Sequence, residues 1–488
     1  MKSWEEGFSV NRKSKAVKKV PLCVDLDGTL VKTDLLVESI FALLKQDLLF
    51  AFFIPFWLIR GRSHLKDQVA RRITIDVSLL PYHESFLDYL KTERKNGRRV
   101  ILVTASHNNY AHAIANHLKV FEDVMASDDG NNLAGKKKLD RLIQKFGKHG
   151  FDYAGNSRVD LPIFHEARKS VLVNPEFGVE TRARGIAKIE RVFETDHGSL
   201  HAYIRAIRPH QWLKNFLVFV PLIAAHEVGN TELIWRSFLA FISFCLCASS
   251  VYLLNDLADL ASDRAHLRKR HRPFASGSVS IKHGVILIPL LLIAAFAVSL
   301  LLPPAFMGTL ILYYAITLGY SFWLKRKLMV DVIVLTGLYT VRVLAGSAAT
   351  AIVPSFWILA FSMYLFLSLA MIKRYSELLD LSNTGKQQSD GRGYVVQDMA
   401  TIQGLGAASG YISVLVLALY INSNDVRVLY SQPEVIWLLC PVLLYWISRM
   451  WQRAGRGEMH DDPLVFAVKD RISRMLGLAV VIVLVAAS

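Results

Sequence analysis

Two hydrophobic patterns divide the chain. Up to residue 195 the apolar residues come in short runs: 20–26 (VPLCVDL), 99–104 (RVILVT), 151–154 (FDYA) and 170–173 (SVLV). Polar stretches with helical spacing separate them, as in 136–146 (KKKLDRLIQKF). Short buried strands alternating with amphipathic helices predict a parallel α/β sheet of Rossmann-like type. In such sheets the polar residues just after the strands mark the site. These are Asp25 and Asp27 after the first run, Thr104 at the end of the second, and Asn156 to Asp160 after the third.

After residue 211 the runs lengthen to membrane-spanning size. Nine spans are expected, near 213–227, 234–254, 283–303, 305–323, 329–349, 354–372, 401–421, 434–449 and 470–487. The intervening loops alternate in charge. Basic residues gather in 256–282, 324–330, 373–399 (Lys373, Arg374, Lys386, Arg392) and 450–474, whereas the other loops hold one, Arg427. The basic loops are therefore expected on the cytoplasmic side of an inner or plasma membrane, with the front domain, and the C-terminus outside. The expected division is a soluble domain 1–195, a linker 196–210 with polar, glycine-containing character, and an all-α membrane domain 211–488. One further stretch, 48–59 (LLFAFFIPFWLI), is aromatic and apolar but too short to span. It reads as a helix resting on the membrane surface or on the membrane domain, or else as a buried helix.

Charge and cysteine usage narrow the class. The formal net charge is +16, but the bases sit between apolar segments. Topology and anionic substrates explain that better than nucleic acid, which is not expected as a partner. The four cysteines, Cys23, Cys245, Cys247 and Cys440, lie in apolar surroundings without metal-ligand spacing and are expected as buried thiols. The first twenty residues have no apolar core and do not read as a signal peptide.

The densest chemistry lies in 251–277, VYLLNDLADLASDRAHLRKRHRPFASG. An apolar run ends in Asn255, Asp256, Asp259 and Asp263, and a basic run to Arg272 follows. If the segment is helical, Asn255, Asp259 and Asp263 share one face, spanning roughly 12 Å. That is a ligand set for one or two hard divalent ions carrying a polyphosphate. Acids at a membrane helix end are costly unless a cation joins them. Other polar clusters on the same side are 208–215 (RPHQWLKN), Tyr320 with Lys325, Arg326 and Asp331, Lys373 to Tyr375 with Glu377, and Arg456, His460, Asp461, Asp462 and Asp470. Arg342 lies inside a span and is expected to need an anionic partner.

Asp25-Leu26-Asp27-Gly28-Thr29, with Thr104, Lys138 and Asn156 to Asp160 in order, resembles the haloacid dehalogenase-type (HAD) phosphatases over roughly residues 20–180. The resemblance implies a HAD domain with a helical cap at about 33–95. It makes Asp25 the nucleophile that forms an aspartyl-phosphate and Asp27 the acid/base. Thr104 and Lys138 would hold the phosphate, with register leaving Lys136 and Lys137 as rivals of Lys138. Mg²⁺ would be held by Asp25, Asp27, Asn156 and Asp160. Asn156 stands where many members have aspartate, which makes weak activity an open outcome and shifts metal binding toward Asp160.

The pattern NDxxDxxxD followed by RP and a small-residue turn resembles the UbiA superfamily of intramembrane prenyltransferases, nine-helix bundles that bind a polyprenyl diphosphate on Mg²⁺ between two Asp-rich motifs. The second motif departs: 320–342 offers Asp331, with Lys325, Arg326 and Arg342, where a second DxxxD would stand. With RPHQWLKN, KRHRPFASG, YSFWLK and KRYSEL the chain looks like the decaprenyl-phosphate phosphoribosyltransferase branch. That implies phosphoribosyl pyrophosphate (PRPP) as donor and a polyprenyl phosphate as acceptor. Asn255, Asp256, Asp259 and Asp263, with Asp331, would hold metal and pyrophosphate. Lys214, Tyr320, Lys325, Arg326, Arg342 and Lys373, and more weakly Arg264, Lys269 and Arg272, would bind the phosphate ends.

Together the two resemblances predict a bifunctional enzyme. It makes polyprenyl-phosphoryl-5-phosphoribose, then removes the 5-phosphate to give a precursor of an arabinosyl or ribosyl donor for cell-wall synthesis. A homo-oligomer is compatible with this. The runners-up are an aromatic or quinone prenyltransferase using polyprenyl diphosphate, and a lipid-carrier binding protein with an inactive HAD domain.

Overall fold

The computed structural model describes residues 19–128, 130–194, 199–385, 387, 393–423, 426, 429–459 and 462–487. The first twenty residues, apart from Lys19 and Val20, and Lys386, Arg392, Arg427, His460 and Asp461 lie outside the described residues. The chain falls into two compact units, Met1–Ser199 with Ala258–Lys282, and Leu200–Leu257 with His283–Ser488.

The first unit is built on six parallel strands: β1 (Leu22–Val24), β2 (Val100–His107), β3 (Asp123–Ser127), β4 (Asp152–Gly155), β5 (Ser170–Val173) and β6 (Ile189–Phe193). Their order is β3-β2-β1-β4-β5-β6. β1 is central, with Cys23 opposite Ile101 on β2 and Tyr153 on β4. The four expected runs are the inner strands, whose apolar side chains are buried on both faces. The two strands that the pattern does not announce, β3 and β6, lie at the sheet's edges and carry polar or exposed residues. The helix Lys136–Phe146 forms where its pattern predicts. Between β1 and β2 the chain makes Leu35–Gln46, Phe50–Ile59 and Arg62–Ala70, then Glu84–Lys95. Asp34 caps the first of these by accepting from the Val37 amide at 3.1 Å.

Among the described residues seven helices are long and apolar enough to cross a membrane. They are Thr231–Ala258, Ile281–Ser299, Pro304–Phe322, Val330–Thr350, Phe356–Asn383, Val396–Ile421 and Pro433–Gly455. The other two expected spans are shorter, so the count of nine is not met at full length. Residues 213–227 divide between a 3-10 winding, Pro209–Phe219, and a short helix, Val220–Ala224, with Pro221 at its start. Arg471–Ala487, at 17 residues, is about 26 Å long against a hydrocarbon layer of about 30 Å. Residues in the expected linker are partly ordered as the helix Leu200–Ile207, while 195–198 lie outside the described residues. The Pro209–Phe219 winding lies tight against Val330–Thr350: a Cβ on Gly346 would fall 2.0 Å from the Val218 carbonyl oxygen, so only glycine fits.

Candidate functional sites

The buried end of β1 delivers Asp25, whose Oδ1 accepts from Lys138 Nζ at 2.8 Å and from the Leu26 amide at 2.9 Å. Lys138 is buried, whereas Lys136 and Lys137 are exposed, so the amphipathic register of the helix singles out one lysine. Lys138 Nζ also reaches Tyr153 Oη at 3.1 Å, and Tyr153 donates to Asp160 Oδ1 at 2.9 Å. Burial pushes the Asp25 carboxyl up, and the Lys138 ammonium works against that shift.

Asp27 sits on the turn beyond. Its Oδ1 accepts from the Leu35 amide at 2.9 Å, and Ser106 Oγ lies 2.5 Å from its Oδ2. Burial, then the neighbouring Asp34, raises the Asp27 carboxyl to about 7. A group near that value exchanges protons in either direction at neutral pH. Gly28 (φ +76°) lets the turn pass Asn156, since a Cβ there would lie 2.4 Å from the Asn156 side-chain nitrogen. Asn156 Oδ1 in turn accepts from Thr29 Oγ1 at 3.3 Å. Thr104 is fully buried, and its Oγ1 accepts from the Ser106 amide at 2.9 Å.

Two expected ligands have other work. Asp160 accepts from Tyr153 on one oxygen, and on the other from the amides of Asn156 (3.3 Å) and Ser157 (3.0 Å) and the Ser157 hydroxyl (2.9 Å). It closes a capping box that shapes the loop after β4 and holds that loop beside Asp25 and Lys138. The Asp27 carboxylate likewise has a partner at each oxygen, which fits proton transfer better than metal ligation. Three contributors escape the sequence reading. Tyr153 had a signal, as a tyrosine in a buried strand. Ser106 and Lys66 had none. Lys66 Nζ, from the helix Arg62–Ala70, donates to the Ala105 carbonyl at 2.5 Å and to Asn132 Oδ1 at 2.8 Å, beside Ser106.

The acid-rich stretch does not form one helical face. The long helix ends at Ala258, Asp259 takes non-helical angles (φ −104°, ψ 11°), and a short helix, Leu260–Ala265, follows. The physical reason is the packing of 258–282 within the first unit. Asp259 pairs with Lys45 at 2.7 Å, and Lys282 with Asp34 at 3.2 Å. Arg264 makes a two-pronged pair with Glu38 (2.6 and 3.0 Å) inside the protein. Glu38 also accepts from Thr33 Oγ1 at 2.9 Å, and the Thr33 carbonyl accepts from the Gly28 amide at 3.2 Å. Gly277 (φ +73°) passes Lys32 so closely that a Cβ would meet that residue at 2.6 Å. Asp263 pairs with Arg272 at 2.7 Å, and Asp256, in the second unit, with Arg208. Among the described residues no three His, Cys, Asp or Glu side chains converge closely enough to hold a metal ion.

The Glu38–Arg264 pair gives a direct test of that packing. Arg264→Ala strands Glu38 as a buried charge, at a cost of about 3–5 kcal/mol. The expected result is earlier unfolding of the front unit, read by limited proteolysis across a temperature series, with Arg264→Lys intermediate.

In the second unit the expected bases assemble around Tyr339. Lys214 Nζ lies 2.6 Å and Lys373 Nζ 3.4 Å from the same oxygen of Asp462. Burial pushes the Asp462 carboxyl up, but the two ammonium groups outweigh it and hold it below the usual carboxylate range. Two cations share one carboxylate, which leaves an excess positive charge suited to an anion. Lys214 and the Arg342 guanidinium each lie 5.8 Å from the Tyr339 ring centre. Among the described residues Arg342 does not have the anionic partner expected of it. It donates to Asn215 Oδ1 (2.8 Å), Tyr313 Oη (3.0 Å) and the Leu338 carbonyl, so neutral acceptors carry it. Asp331, also expected as a metal ligand, pairs with Arg374 at 2.7 Å and accepts from Tyr394, both inside the bundle. Tyr320 lies on the last turn of Pro304–Phe322, with Lys325 and Arg326 in the 3-10 turn Leu324–Arg326.

Residues 216–484 match the UbiA prenyltransferase family, and 22–165 match haloacid dehalogenase-like hydrolases. "Uncharacterized protein y4nM" of Sinorhizobium fredii is 35% identical over 465 residues, 94% of this chain and 89% of that protein. "Nodulation protein NoeC" of Azorhizobium caulinodans is 38% identical over 57% of this chain and 91% of its own. A decaprenyl-phosphate phosphoribosyltransferase of Mycolicibacterium smegmatis is 31% identical over 57% of this chain and 89% of its own.

Proposed function

Since the chain belongs to the UbiA prenyltransferase family and carries a haloacid dehalogenase-like hydrolase domain in front, we propose a two-step membrane enzyme that first moves 5-phosphoribose from PRPP to a polyprenyl phosphate. The front domain then removes the 5-phosphate, leaving polyprenyl-phosphoryl-ribose, a precursor of a pentosyl donor. The observation that carries the reading is the excess positive charge of Lys214, Lys373 and Arg342 around Tyr339, where a second acidic motif would serve a prenyl diphosphate. The match to phosphoribosyltransferases over the membrane unit supports it. Both reactions lie on the cytoplasmic side, on the strength of the basic loops.

In the transfer step the C1–O bond of PRPP breaks, pyrophosphate leaves, and an oxygen of the lipid phosphate bonds to C1. Lys214, Lys373 and Arg342 hold phosphate oxygens and orient the acceptor. Asn255, Asp256, Asp259 and Asp263 hold the pyrophosphate end, their pairing bases Arg208, Lys45 and Arg272 exchanging partners on binding. In the hydrolytic step Oδ1 of Asp25 stays on Lys138 and the Leu26 amide, and Oδ2 attacks phosphorus. The bond to the ribose 5-oxygen breaks, and Asp27 protonates that oxygen. Asp27 then takes a proton from the water that hydrolyses the aspartyl-phosphate.

The donors fit Mg²⁺ in kind. All are oxygens, and this ion is ordinarily held by one or two carboxylates together with substrate phosphates, so it does not need the three-carboxylate cage that is not found among the described residues. Asp25 and Asn156 would hold it in the front domain, and the Asn255–Asp263 acids in the membrane domain. When bound it supplies neutralisation of phosphate charge. Chelation of divalent cations is expected to stop release of pyrophosphate and of inorganic phosphate, and added Mg²⁺ to restore both.

The deciding experiment feeds the full chain with PRPP labelled in the ribose and in the 5-phosphate, plus polyprenyl phosphate. Ribose label in the lipid and 5-phosphate label in inorganic phosphate are expected. Lipid labelling only with polyprenyl diphosphate and an aromatic acceptor would overturn the reading.

A further inference from the structure

The helix Phe50–Ile59 carries a surface that neither reaction uses. Its sequence, FAFFIPFWLI, has no charge and not one buried residue. Phe50, Ile54 and Trp57, at i, i+4 and i+7, pack on Leu43, Leu65, Val69 and Ile73. The remaining side chains face outward: Phe52 is 72% exposed, Phe56 66% and Ile59 83%, with Phe53, Leu58, Leu48 and Leu49 continuing the patch. A contiguous aromatic surface of this kind on a folded unit marks a contact with something apolar.

Its rim is basic. Arg60 and Arg62 follow at once and are exposed, and the Arg72 guanidinium lies 5.0 Å from the Trp57 ring centre and 5.8 Å from that of Phe50. Exposed aromatic rings with arginines beside them are the composition of a bilayer's headgroup boundary. At ten residues the helix is about 15 Å long, half of what crossing needs, so it can lie in the boundary or dip into one leaflet, not span. The seven apolar helices found among the described residues keep a bilayer beside every copy, and the basic rim matches anionic lipid phosphates, whereas a second copy would bring an equally basic rim against it.

We propose that Phe50–Ile59 inserts into the headgroup–acyl boundary of the bilayer, with Arg60, Arg62 and Arg72 against lipid phosphates. The sequence left three resting places open for this stretch; the outward-facing rings are at odds with the buried one, and the basic residues beside them favour lipid. The insertion has a use. The helix that follows carries Lys66, whose Nζ reaches the Ala105 carbonyl beside Ser106 and Asp27. Insertion tethers the hydrolytic domain to the lipid surface, where a lipid-linked sugar phosphate presents itself.

The four native cysteines are buried, so Phe56→Cys in the full chain can be labelled selectively with an environment-sensitive fluorophore. The labelled protein is reconstituted in vesicles of phosphatidylcholine and phosphatidylglycerol. The expected result is blue-shifted emission that loses more than half its intensity with nitroxide placed high on the acyl chains, and little with aqueous iodide. Strong iodide quenching would overturn the proposal, because the helix would then face water. Blue-shifted emission untouched by the nitroxide lipid would overturn it too, because protein would then cover the patch. Neither readout depends on catalysis, so a failure here is distinct from a failure of the two-step reading.

Discussion

Asp25→Asn in the full chain is expected to leave ribose transfer intact and to make polyprenyl-phosphoryl-5-phosphoribose accumulate. The substitution keeps the shape of the side chain and its place between Lys138 and the Leu26 amide, but an amide oxygen does not displace an alcohol from phosphorus. Removing a nucleophile outright ordinarily lowers turnover by about 10⁴-fold or more. Hydrolysis of the lipid-linked 5-phosphate should fall by that order, read as the ratio of phosphorylated to unphosphorylated lipid product by mass. Asp27→Asn should give the same product through a different loss, since it leaves the nucleophile and removes the proton donor. If Asp25→Asn releases inorganic phosphate as fast as the unmodified chain, the front domain is not the phosphatase for this lipid.

Asp259→Asn is expected to do the reverse. Pyrophosphate release from PRPP should fall by about 10²–10³-fold, the loss typical of removing one preorganised charged contact to a departing group. The front pocket should continue to hydrolyse a soluble phosphate ester. Asp259 is also bonded to Lys45, so loss of a structural contact has to be separated from loss of chemistry. Lys45→Met removes that pair and keeps the carboxylate. A variant that retains transfer would assign the loss in Asp259→Asn to the acid itself. Equal damage from both would mean that the pair, not the carboxylate's grip on pyrophosphate, is what the reaction needs.

Much of this organisation is legible in the residues, and the illegible parts have physical causes. The inner strands announce themselves because burial on both faces demands continuous apolar runs. The edge strands β3 and β6, with DVMAS and IERVF, do not, because half their surface meets water. Lys138 was not separable from Lys136 and Lys137 in the sequence, and the folded helix, which buries it together with Leu142, makes the choice. Asp462 lies far along the chain from Lys214, and only the folded bundle brings them to 2.6 Å. The break at Asp259 was hidden for a different reason. Local spacing favours a continuous helix with its acids in line, and the bonds that end it reach back more than two hundred positions, to Lys45 and Glu38. Neutral support of Arg342 by Asn215, Tyr313 and a backbone carbonyl was hidden likewise, since no spacing rule announces a dispersed cage of acceptors.

That long reach has a consequence for biogenesis. A front domain ordinarily folds as a unit while the rest of the chain is still being synthesised. Here one of its buried carboxylates, Glu38, finds its guanidinium on residue 264, beyond the first long apolar helix. The domain therefore leaves the ribosome with an acidic gap in its interior and closes it only after that helix and the residues beyond it have been made. Completion of the front domain thus waits on synthesis of the first long apolar helix, and a chain cut after residue 199 would carry the gap permanently.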